Sequence, residues 1–413
     1  MKHSLSWYRT RISHHNRPAS RLGTATVGAL VLLMVALAIS PSACGRERTS
    51  DTRWALVPLY RDSGSPGIYR AIAPAADGEL WVVGEARGAR GDTDAVVARF
   101  DREGRPRFRR TFGADDDDRL LALCATPEGE LVAVGVTEYR GPGLRDGWVL
   151  RFDRRGELLW ERVVGGPQND TLNSCAVAAD GSVVAVGTRG DSRDRPQAWV
   201  VRLSTDGESL GEWTQSDHPG SAALTLLVDR GRAWVGGHQS PEAGRTEGVL
   251  WRLSLVDGRF ELAETFRLAP NTRLVRLRLV APGRSIALFE RGPQVGALSG
   301  LHLAALDLEA TPPLLGETTA IDDSALVGVF DLRLVDGAAW LLAQHLDAAG
   351  VGRSIVYRVS APGTPSELVA STDGEPLVFT SLAILSRSEL QLVGVVPERL
   401  SSPVIYRLGV TSP

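Results

Sequence analysis

Short apolar runs, each bounded by turn residues, fill most of the chain. The run from Leu80 to Gly84 follows the turn Asp77-Gly78, and the same arrangement ends again at Gly135 and at Gly187. Weaker copies end at Gly237, Phe289, Ala343 and Gly394, so that successive endpoints are 51, 52, 50, 52, 54 and 51 residues apart. A period this regular indicates seven structural repeats.

A second landmark recurs with the same period. An apolar run carrying an arginine, such as Val96 to Phe100, is followed by a tight turn such as Asp101 to Gly104. The fifth repeat has Ala305 at the arginine position. The recurring residues are Arg99, Arg151, Arg202, Arg252, Arg358 and Arg407. We predict that they lie on the third strand of each repeat, away from the axis, and pair with acidic residues of neighbouring turns instead of forming an anion site.

Each repeat reads as four short strands joined by hairpin turns of the Asp-Gly type. Four-stranded units of ~40–50 residues are typical of propeller blades, which stand in a ring. The inner runs are almost continuously apolar, as expected for sheets that are covered on both faces. We therefore predict an all-β fold, a seven-bladed β-propeller of four-stranded antiparallel blades. Its tryptophans Trp81, Trp160, Trp234 and Trp340 are expected to pack between blades.

The ring is predicted to close through the two ends of the propeller sequence. The seventh repeat stops after its third strand, and only three residues follow Val410. The segment Trp54–Tyr60 precedes the first repeat, where an outermost strand is expected. We predict that it completes the last blade beside Pro403 to Gly409, which removes a free sheet edge. Pro58 is tolerated there because an outermost strand has an unpaired side.

The N-terminus has the pattern of an export signal. Residues 1–23 are basic and polar, and an apolar run from Ala25 to Ile39 follows. Ser42-Ala43-Cys44-Gly45 resembles the lipobox of bacterial lipoproteins, although Pro41 departs from the aliphatic residue preferred there. The resemblance implies that Cys44 is lipidated after cleavage before it, and that Gly45 directs sorting to the outer membrane. The alternatives are an uncleaved membrane anchor and simple removal of the signal.

These features divide the chain into an export signal at 1–43, a polar tether at 44–53 and the propeller at 54–413. The segment Leu158 to Val186 resembles the SBBP-type β-propeller repeats of exported bacterial proteins. The matching residues are Leu159-Trp160, Gly165-Gly166, Asn169-Asp170, Asp180-Gly181 and Gly187. The likeness covers repeats one to three and fades from about residue 260. It implies a scaffold or binding role, because such turn and strand motifs specify a fold and no chemistry.

Charge excludes one class of partner. The formal net charge is −3 over 413 residues, and residues 1–43 carry five basic side chains and no acidic one, so the rest of the chain stands at −8. A body of that charge lacks the basic footprint of a nucleic-acid binder.

Loops between the second and third strands are long and variable, whereas the turns at the opposite face are short. Functional residues concentrate on loops that a rigid scaffold holds, so we predict the binding face there; the alternative is that irregular loops merely tolerate insertion. The candidate residues are Glu138, Arg140, Arg145, Asp146, Arg189, Asp191, Arg193 and Arg195.

Metal and redox candidates are weaker. The run Asp115–Asp118 offers the oxygen ligands that Ca²⁺ takes, but it lacks an alternating ligand pattern and is interpreted as a solvated turn. His238 and His345 begin equivalent loops two blades apart, and surface histidines are the favoured interpretation. Cys124 and Cys175 lie on the first strands of adjacent blades, one register position apart. We expect two small buried residues there and not the disulfide that an oxidising envelope allows.

For catalysis, the sequence contains no His-Glu-x-x-His zinc motif and no phosphate-binding Gly-x-x-x-x-Gly-Lys loop. We therefore expect a non-enzymatic lipoprotein, exported and membrane-anchored in the cell envelope, facing the periplasm or in the outer membrane. Its propeller would act as a binding or assembly scaffold for another envelope protein, with no cofactor. The alternatives are a carbohydrate-binding propeller module and a metal-dependent propeller hydrolase or lyase.

Overall fold

The computed structural model describes fourteen stretches of the chain. They are residues 53–62, 64, 66–75, 78–126, 128–138, 140–218, 220–242, 245–254, 260–292, 300–321, 325–346, 352–372, 377–397 and 402–411. The export signal, most of the tether and Cys44 lie outside these residues. In the part of the chain that the structure describes, no helix is long and apolar enough to cross a membrane.

Seven four-stranded antiparallel sheets form a ring, as predicted. Blade one comprises β2 (Gly67–Pro74), β3 (Leu80–Arg87), β4 (Thr93–Phe100) and β5 (Pro106–Phe112), and blade two comprises β6 (Arg119–Ala125), β7 (Leu131–Glu138), β8 (Arg145–Phe152) and β9 (Leu158–Val164). Blade three comprises β10 (Thr171–Val177), β11 (Val183–Gly190), β12 (Pro196–Leu203) and β13 (Ser209–Thr214), and blade four comprises β14 (Ala222–Asp229), β15 (Arg232–Glu242), β16 (Arg245–Ser254) and β17 (Glu261–Pro270). Blade five comprises β18 (Thr272–Ala281), β19 (Arg284–Arg291), β20 (Gly300–Asp307) and β21 (Leu314–Ile321), and blade six comprises β22 (Leu326–Val335), β23 (Ala338–Leu346), β24 (Gly352–Val359) and β25 (Ser366–Ser371). Blade seven comprises β26 (Val378–Ser386), β27 (Glu389–Val396), β28 (Ser402–Thr411) and the N-terminal strand β1 (Arg53–Arg61).

The predicted closure is confirmed. Strand β1 pairs antiparallel with β28, with Trp54 opposite Val410 and Val57 opposite Arg407, and the register shifts between Pro58 and Tyr60. A proline fits this position because bulges and outermost strands do not need its missing N–H. The Trp54 ring contacts the Trp340 ring of blade six edge-on, with centroids 5.1 Å apart. The N-terminal strand therefore completes blade seven by hydrogen bonds and packs against blade six.

The core lies between neighbouring blades. The second and third strands are buried on both faces, whereas the outermost strand β5 is largely exposed. Trp81 and Trp148 share one apolar cluster of blades one and two, and Trp234 and Trp340 are buried in equivalent clusters farther round the ring. Trp160 is only half-buried against blade three, and its Nε1 donates to Thr205 O over 2.8 Å. The predicted packing of the tryptophans between blades is confirmed.

In blades one to three the third-strand arginines pair with turn acids, as predicted, whereas Arg252 and Arg358 pair with Glu264 and Glu367 on the outermost strands of their own blades. Arg99 lies 2.6 Å from Glu79, Arg151 lies 2.7 Å from Glu130, and Arg202 lies 2.6 Å from Asp180. The guanidinium of Arg99 also lies over the Trp81 ring opposite it on β3, 5.3 Å from the centroid. The arginine thus ties the third strand to the turn that precedes the second strand of its own blade.

The expectation of two separate thiols at Cys124 and Cys175 is wrong, because the structure joins them in a disulfide. The two residues lie on β6 and β10, whose Cα atoms approach to 5.9 Å at this point, within the range that a disulfide spans. A difference of one register position tends to turn two side chains in different directions, which favoured separate thiols. First strands of neighbouring blades converge towards the axis, so side chains at adjacent positions still meet.

Candidate functional site

Loops of blades two and three form one continuous surface. The connection between β9 and β10 lies between the loops that follow β7 and β11. Asp170 N donates to Arg145 O over 2.8 Å on one side, and Gly190 N donates to Asn169 O over 3.0 Å on the other. These bonds fix the two loops relative to each other. We call residues 138, 140–146, 165–170 and 189–195 the loop surface.

The predicted charged residues of blade two are paired with acids. Arg145 Nε donates to Glu138 Oε1 over 2.8 Å across the ends of β7 and β8. Arg140 Nη2 donates to Glu161 Oε1 over 2.8 Å, and its guanidinium lies 5.0 Å from the ring centroid of Trp148. Each arginine is thus held in one position, which lowers the conformational entropy that a binding event would cost.

In blade three, Asp191 organises the loop. Its carboxylate accepts hydrogen bonds from Arg193 N and Arg195 N, over 2.8 and 2.9 Å, and from Arg195 Nε over 2.8 Å. The side-chain bond from Arg195 and these backbone bonds lower the pKa of Asp191 to about 2. Arg189 pairs with Glu212 over 2.8 Å. The side chain of Arg193 is exposed and makes no recorded ion pair with a described residue.

Asp146 belongs to the loop surface by position, but it lies buried beneath the exposed residues of that surface. Its side chain is fully buried, one oxygen accepts from Gly143 N over 3.2 Å, and the other has no recorded partner. Burial, together with the neighbouring carboxylate of Asp170, raises the pKa of Asp146 to about 6. Gly165, at φ 151°, lies against both carboxylates, and a Cβ there would stand 2.4 Å from an Asp170 oxygen. Asp146 is therefore a structural residue under the loops.

Three of the four carboxylates of Asp115–Asp118 bind separate partners. Asp115 pairs with Arg90 over 2.6 Å, Asp117 accepts from Thr93 N over 2.9 Å, and buried Asp118 accepts from Ala114 N over 2.9 Å. Among the described residues, no three His, Cys, Asp or Glu side chains are grouped as a metal ion would need.

The two histidines occupy different environments. Burial and the charge of Arg273 lower the pKa of His238 to about 4, and its Nδ1 has no recorded partner. His345 Nε2 lies 3.3 Å from the hydroxyl of Tyr357. Among the described residues, neither histidine belongs to a group of three side chains that could hold a metal ion.

The central channel is the feature that the sequence prediction missed. It encloses about 510 Å³ and is lined by the first strands of all seven blades. Blades five and six contribute Arg276, Arg278 and Arg333, which we call the channel arginines, and blade six contributes Asp331. Blade one contributes Arg70, which pairs with Glu85 over 2.7 Å. Leucines of blade two and the Cys124–Cys175 disulfide line the opposite wall, and leucines of blade four lie between the two walls. One wall is therefore cationic and the other largely apolar.

The channel arginines surround one buried carboxylate. Asp331 lies 3.2 Å from Arg278 Nη2 and 3.1 Å from Arg333 Nη2, and also accepts from Ser381 Oγ over 2.7 Å. Burial acts to raise the pKa of Asp331, but Arg333, Arg278 and Arg276 outweigh it and lower the pKa. A sequence signal existed, because Arg276 and Arg278 alternate within a predicted first strand, at register positions where the first repeat has Ala71 and Ala73.

The sequence also contains one match to a catalytic motif. Residues Gly207 to Gly211 match the Gly-x-Ser-x-Gly pattern of serine hydrolases. That pattern activates serine at a sharp strand-to-helix turn, whereas Ser209 begins the outermost strand β13 and pairs with Leu203 of β12. The local structure is a strand–turn–strand hairpin, so the match does not form a nucleophile elbow.

Sequence comparison gives a partial match and no family. No family model matches the sequence. The chain is 27% identical over 207 residues to "Regulatory protein FlaEY" of Caulobacter vibrioides, a match that covers 44% of this chain and 21% of that protein. The chain thus spans about a fifth of the length of this curated relative.

Two solved structures share the architecture. A polysaccharide lyase of family PL25, an ulvan lyase, superposes with a TM-score of 0.55 at 11% identity, covering 87% of this chain and 98% of that one. The β-propeller domain of the Trilobed protease from Pyrococcus furiosus gives 0.50 at 12% identity, covering 84% and 96%. Identities this low show the β-propeller fold alone.

Proposed function

We propose that this protein is a cell-envelope lipoprotein, anchored through Cys44, whose propeller binds another envelope protein as a non-catalytic scaffold. The loop surface is the observation that carries the proposal. Its charged side chains have fixed positions on two adjacent loops, and Leu144 lies among them with 55% of its surface exposed. An apolar side chain within a charged, ordered rim is suited to protein recognition, because the charges select the partner and the apolar contact adds affinity.

The partial similarity to a protein named as regulatory supports a binding role, since a regulatory protein acts by contact with a partner. The paired charges also explain why the surface is ordered without a ligand. Arg140, Arg145, Arg189 and Arg195 keep ion-pair partners within the chain, so a partner would meet a prepared surface.

The binding test uses two substitutions that leave the internal pairs intact. The double variant Leu144→Asp, Arg193→Glu changes exposed side chains of the loop surface, and the control Arg154→Glu, Arg155→Glu changes the turn between β8 and β9 at the opposite face. We expect in-cell crosslinking of the full-length protein to recover a partner with the wild type and the control but not with the double variant. A partner retained by the double variant, or lost in the control, would contradict a role for the loop surface.

The anchor has its own test. Metabolic labelling with radioactive palmitate should label the wild type and leave Cys44→Ser unlabelled, and the variant should leave the membrane fraction or keep an uncleaved signal. Unlabelled wild type would contradict lipidation at Cys44. The two tests are independent, because the loop surface is intact in Cys44→Ser.

A further inference from the structure

The geometry points to a second binding site, in the central channel, for an organic oxyanion with an apolar body. The headgroup, a carboxylate or a phosphate, would contact the channel arginines, and the apolar body would lie against the leucines of the opposite wall. The inference does not depend on the loop surface, because the channel is built from the first strands alone.

Charge imbalance is the first argument. Arg273, Arg276, Arg278 and Arg333 lie in or beside this wall, together with the carboxylates of Glu290 and Asp331. Four guanidinium groups facing two carboxylates leave an excess of two positive charges, and Arg70, which also lines the channel, is balanced by Glu85 at 2.7 Å. His238 adds none at neutral pH, since its pKa is about 4. Unbalanced charge at a half-buried site is unfavourable unless an anion offsets it.

The arginines also do more than link blades. Arg278 Nε donates to Leu332 O over 2.8 Å, and Arg333 Nε donates to Leu382 O over 2.9 Å, so each bridges to the next blade. Uncharged residues make the same kind of bridge elsewhere: Asn173 donates to Ala223 O over 3.2 Å. A bridge therefore needs no charge, and the use of three arginines calls for another reason.

The channel arginines have N–H donors that remain available to a ligand. Arg276 bonds Val275 O and Phe330 O through its two terminal nitrogens, and Arg333 uses Nε and Nη2. No hydrogen bond to a described residue is recorded for Arg276 Nε or Arg333 Nη1. Arginine forks bind planar carboxylates and phosphates well because several N–H groups can converge on one oxyanion.

The opposite wall and the volume of the channel indicate the size and the apolar character of the rest of the ligand. Leu121, Leu123 and Leu224 are half-buried and face the channel together with the disulfide. About 510 Å³ lies within the range of small-molecule sites, which are mostly apolar with a few polar groups that fix orientation. An inorganic anion would leave this apolar wall in contact with water.

The test is calorimetric titration of the full-length protein in detergent micelles, with empty micelles as the blank. The probes are 4-phenylbutyrate, phenyl phosphate, inorganic phosphate and the neutral 4-phenylbutanol. We expect one site per chain for at least one of the first two, with 4-phenylbutanol and inorganic phosphate weaker by about tenfold or more. The tighter of the two organic anions identifies the headgroup.

Three variants locate the site. Arg276→Gln and Arg333→Gln should each weaken binding of the organic anion by about tenfold or more, whereas Arg110→Gln removes the same charge from an exposed pair with Glu157 and should leave binding unchanged. Leu123→Glu adds a carboxylate to the apolar wall without changing an arginine, and it should also abolish binding. This variant therefore tests the site even if a glutamine variant fails to fold.

Several results would overturn the inference. They are equal affinity for 4-phenylbutanol and 4-phenylbutyrate, inorganic phosphate binding as tightly as phenyl phosphate, unchanged binding in the folded channel variants, or no saturable binding of any anion.

Discussion

Blades one to three place their recurring arginines on the third strand, beside acidic turn residues, whereas blades five and six place three more arginines on the first strand, facing the channel. Arg70 of blade one also faces the channel, but it has Glu85 as its partner. In the first group each guanidinium has its own carboxylate, as with Arg151 and Glu130 at 2.7 Å. In the second group three channel arginines share Asp331. Arginine therefore stabilises blades one to three and gives the channel wall of blades five and six its positive charge.

The difference teaches where to look for function in a repeat protein. Positions that recur in every repeat serve what every blade needs, which is to hold turns and to pack against neighbours. Residues that break the pattern and remain unbalanced in charge are candidates for binding, because functional sites are where local rules are broken. We call blades one to three the regular half and blades five to seven the divergent half.

The disulfide should give the largest effect. It joins blades two and three and closes a loop across 51 residues. In the double variant Cys124→Ser, Cys175→Ser, we expect the free energy of unfolding to fall by about 2–4 kcal/mol, because the unfolded chain regains the freedom that the crosslink removes. Urea unfolding followed by tryptophan fluorescence measures it, with Cys44→Ser as the control. Equal midpoints for the wild type and the double variant would show that the bond does not stabilise the regular half.

Equivalent arginines of the two halves allow a matched comparison. Arg151 is 9% exposed, pairs with Glu130 and also donates to Gly181 O and Thr205 O of blade three over 3.2 and 3.3 Å. Arg358 is 39% exposed and lies 3.4 Å from Glu367. We expect Arg151→Met to cost about 2–3 kcal/mol of unfolding free energy and Arg358→Met less than about 1 kcal/mol. Equal losses would mean that the two halves do not differ in how arginine stabilises them.

The pH dependence of the unfolding free energy tests the buried carboxylate of Asp146 in the regular half. The pKa of Asp146 is raised to about 6 in the folded protein, above its value of about 4 in the unfolded chain. The folded state therefore binds more protons between these values, and its stability falls as pH rises from about 4 to about 6. Asp146→Asn should remove part of that fall, about 1–2 kcal/mol.

Urea midpoints of the wild type and Asp146→Asn at several pH values measure the difference. It should be constant only above about pH 8, where Asp146 is ionised in both the folded and the unfolded state. A difference that does not change between pH 4 and 6 would show that Asp146 titrates normally.

Repeat period, blade count and closure by Trp54–Tyr60 follow from sequence, because apolar periodicity and turn residues are local signals. The pairing of Arg99, Arg151 and Arg202 follows as well, since their positions recur beside acidic turns. The Cys124–Cys175 bond does not follow, because it depends on how closely two first strands converge at the axis. Period counting alone cannot give that distance.

The candidate site was less accessible to sequence reasoning. Loop length identified the loop surface, but the burial of Asp146 and the role of Asp191 in its own turn depend on hydrogen bonds within the folded loops. The channel was missed because Arg276, Arg278 and Arg333 come from two repeats in which the pattern is weak. Only the ring brings them together around Asp331.

The central claim is that third-strand arginines hold the fold and channel arginines hold a ligand. The most direct measurement is urea unfolding of the wild type, Arg151→Gln and Arg276→Gln, each with and without 4-phenylbutyrate or phenyl phosphate, whichever binds more tightly. At ~100 times the dissociation constant, the ligand should add about 2.7 kcal/mol to the unfolding free energy of the wild type and of Arg151→Gln. Arg276→Gln should gain far less at that concentration. A full ligand-dependent gain in Arg276→Gln, or its loss in Arg151→Gln, would contradict this division of roles.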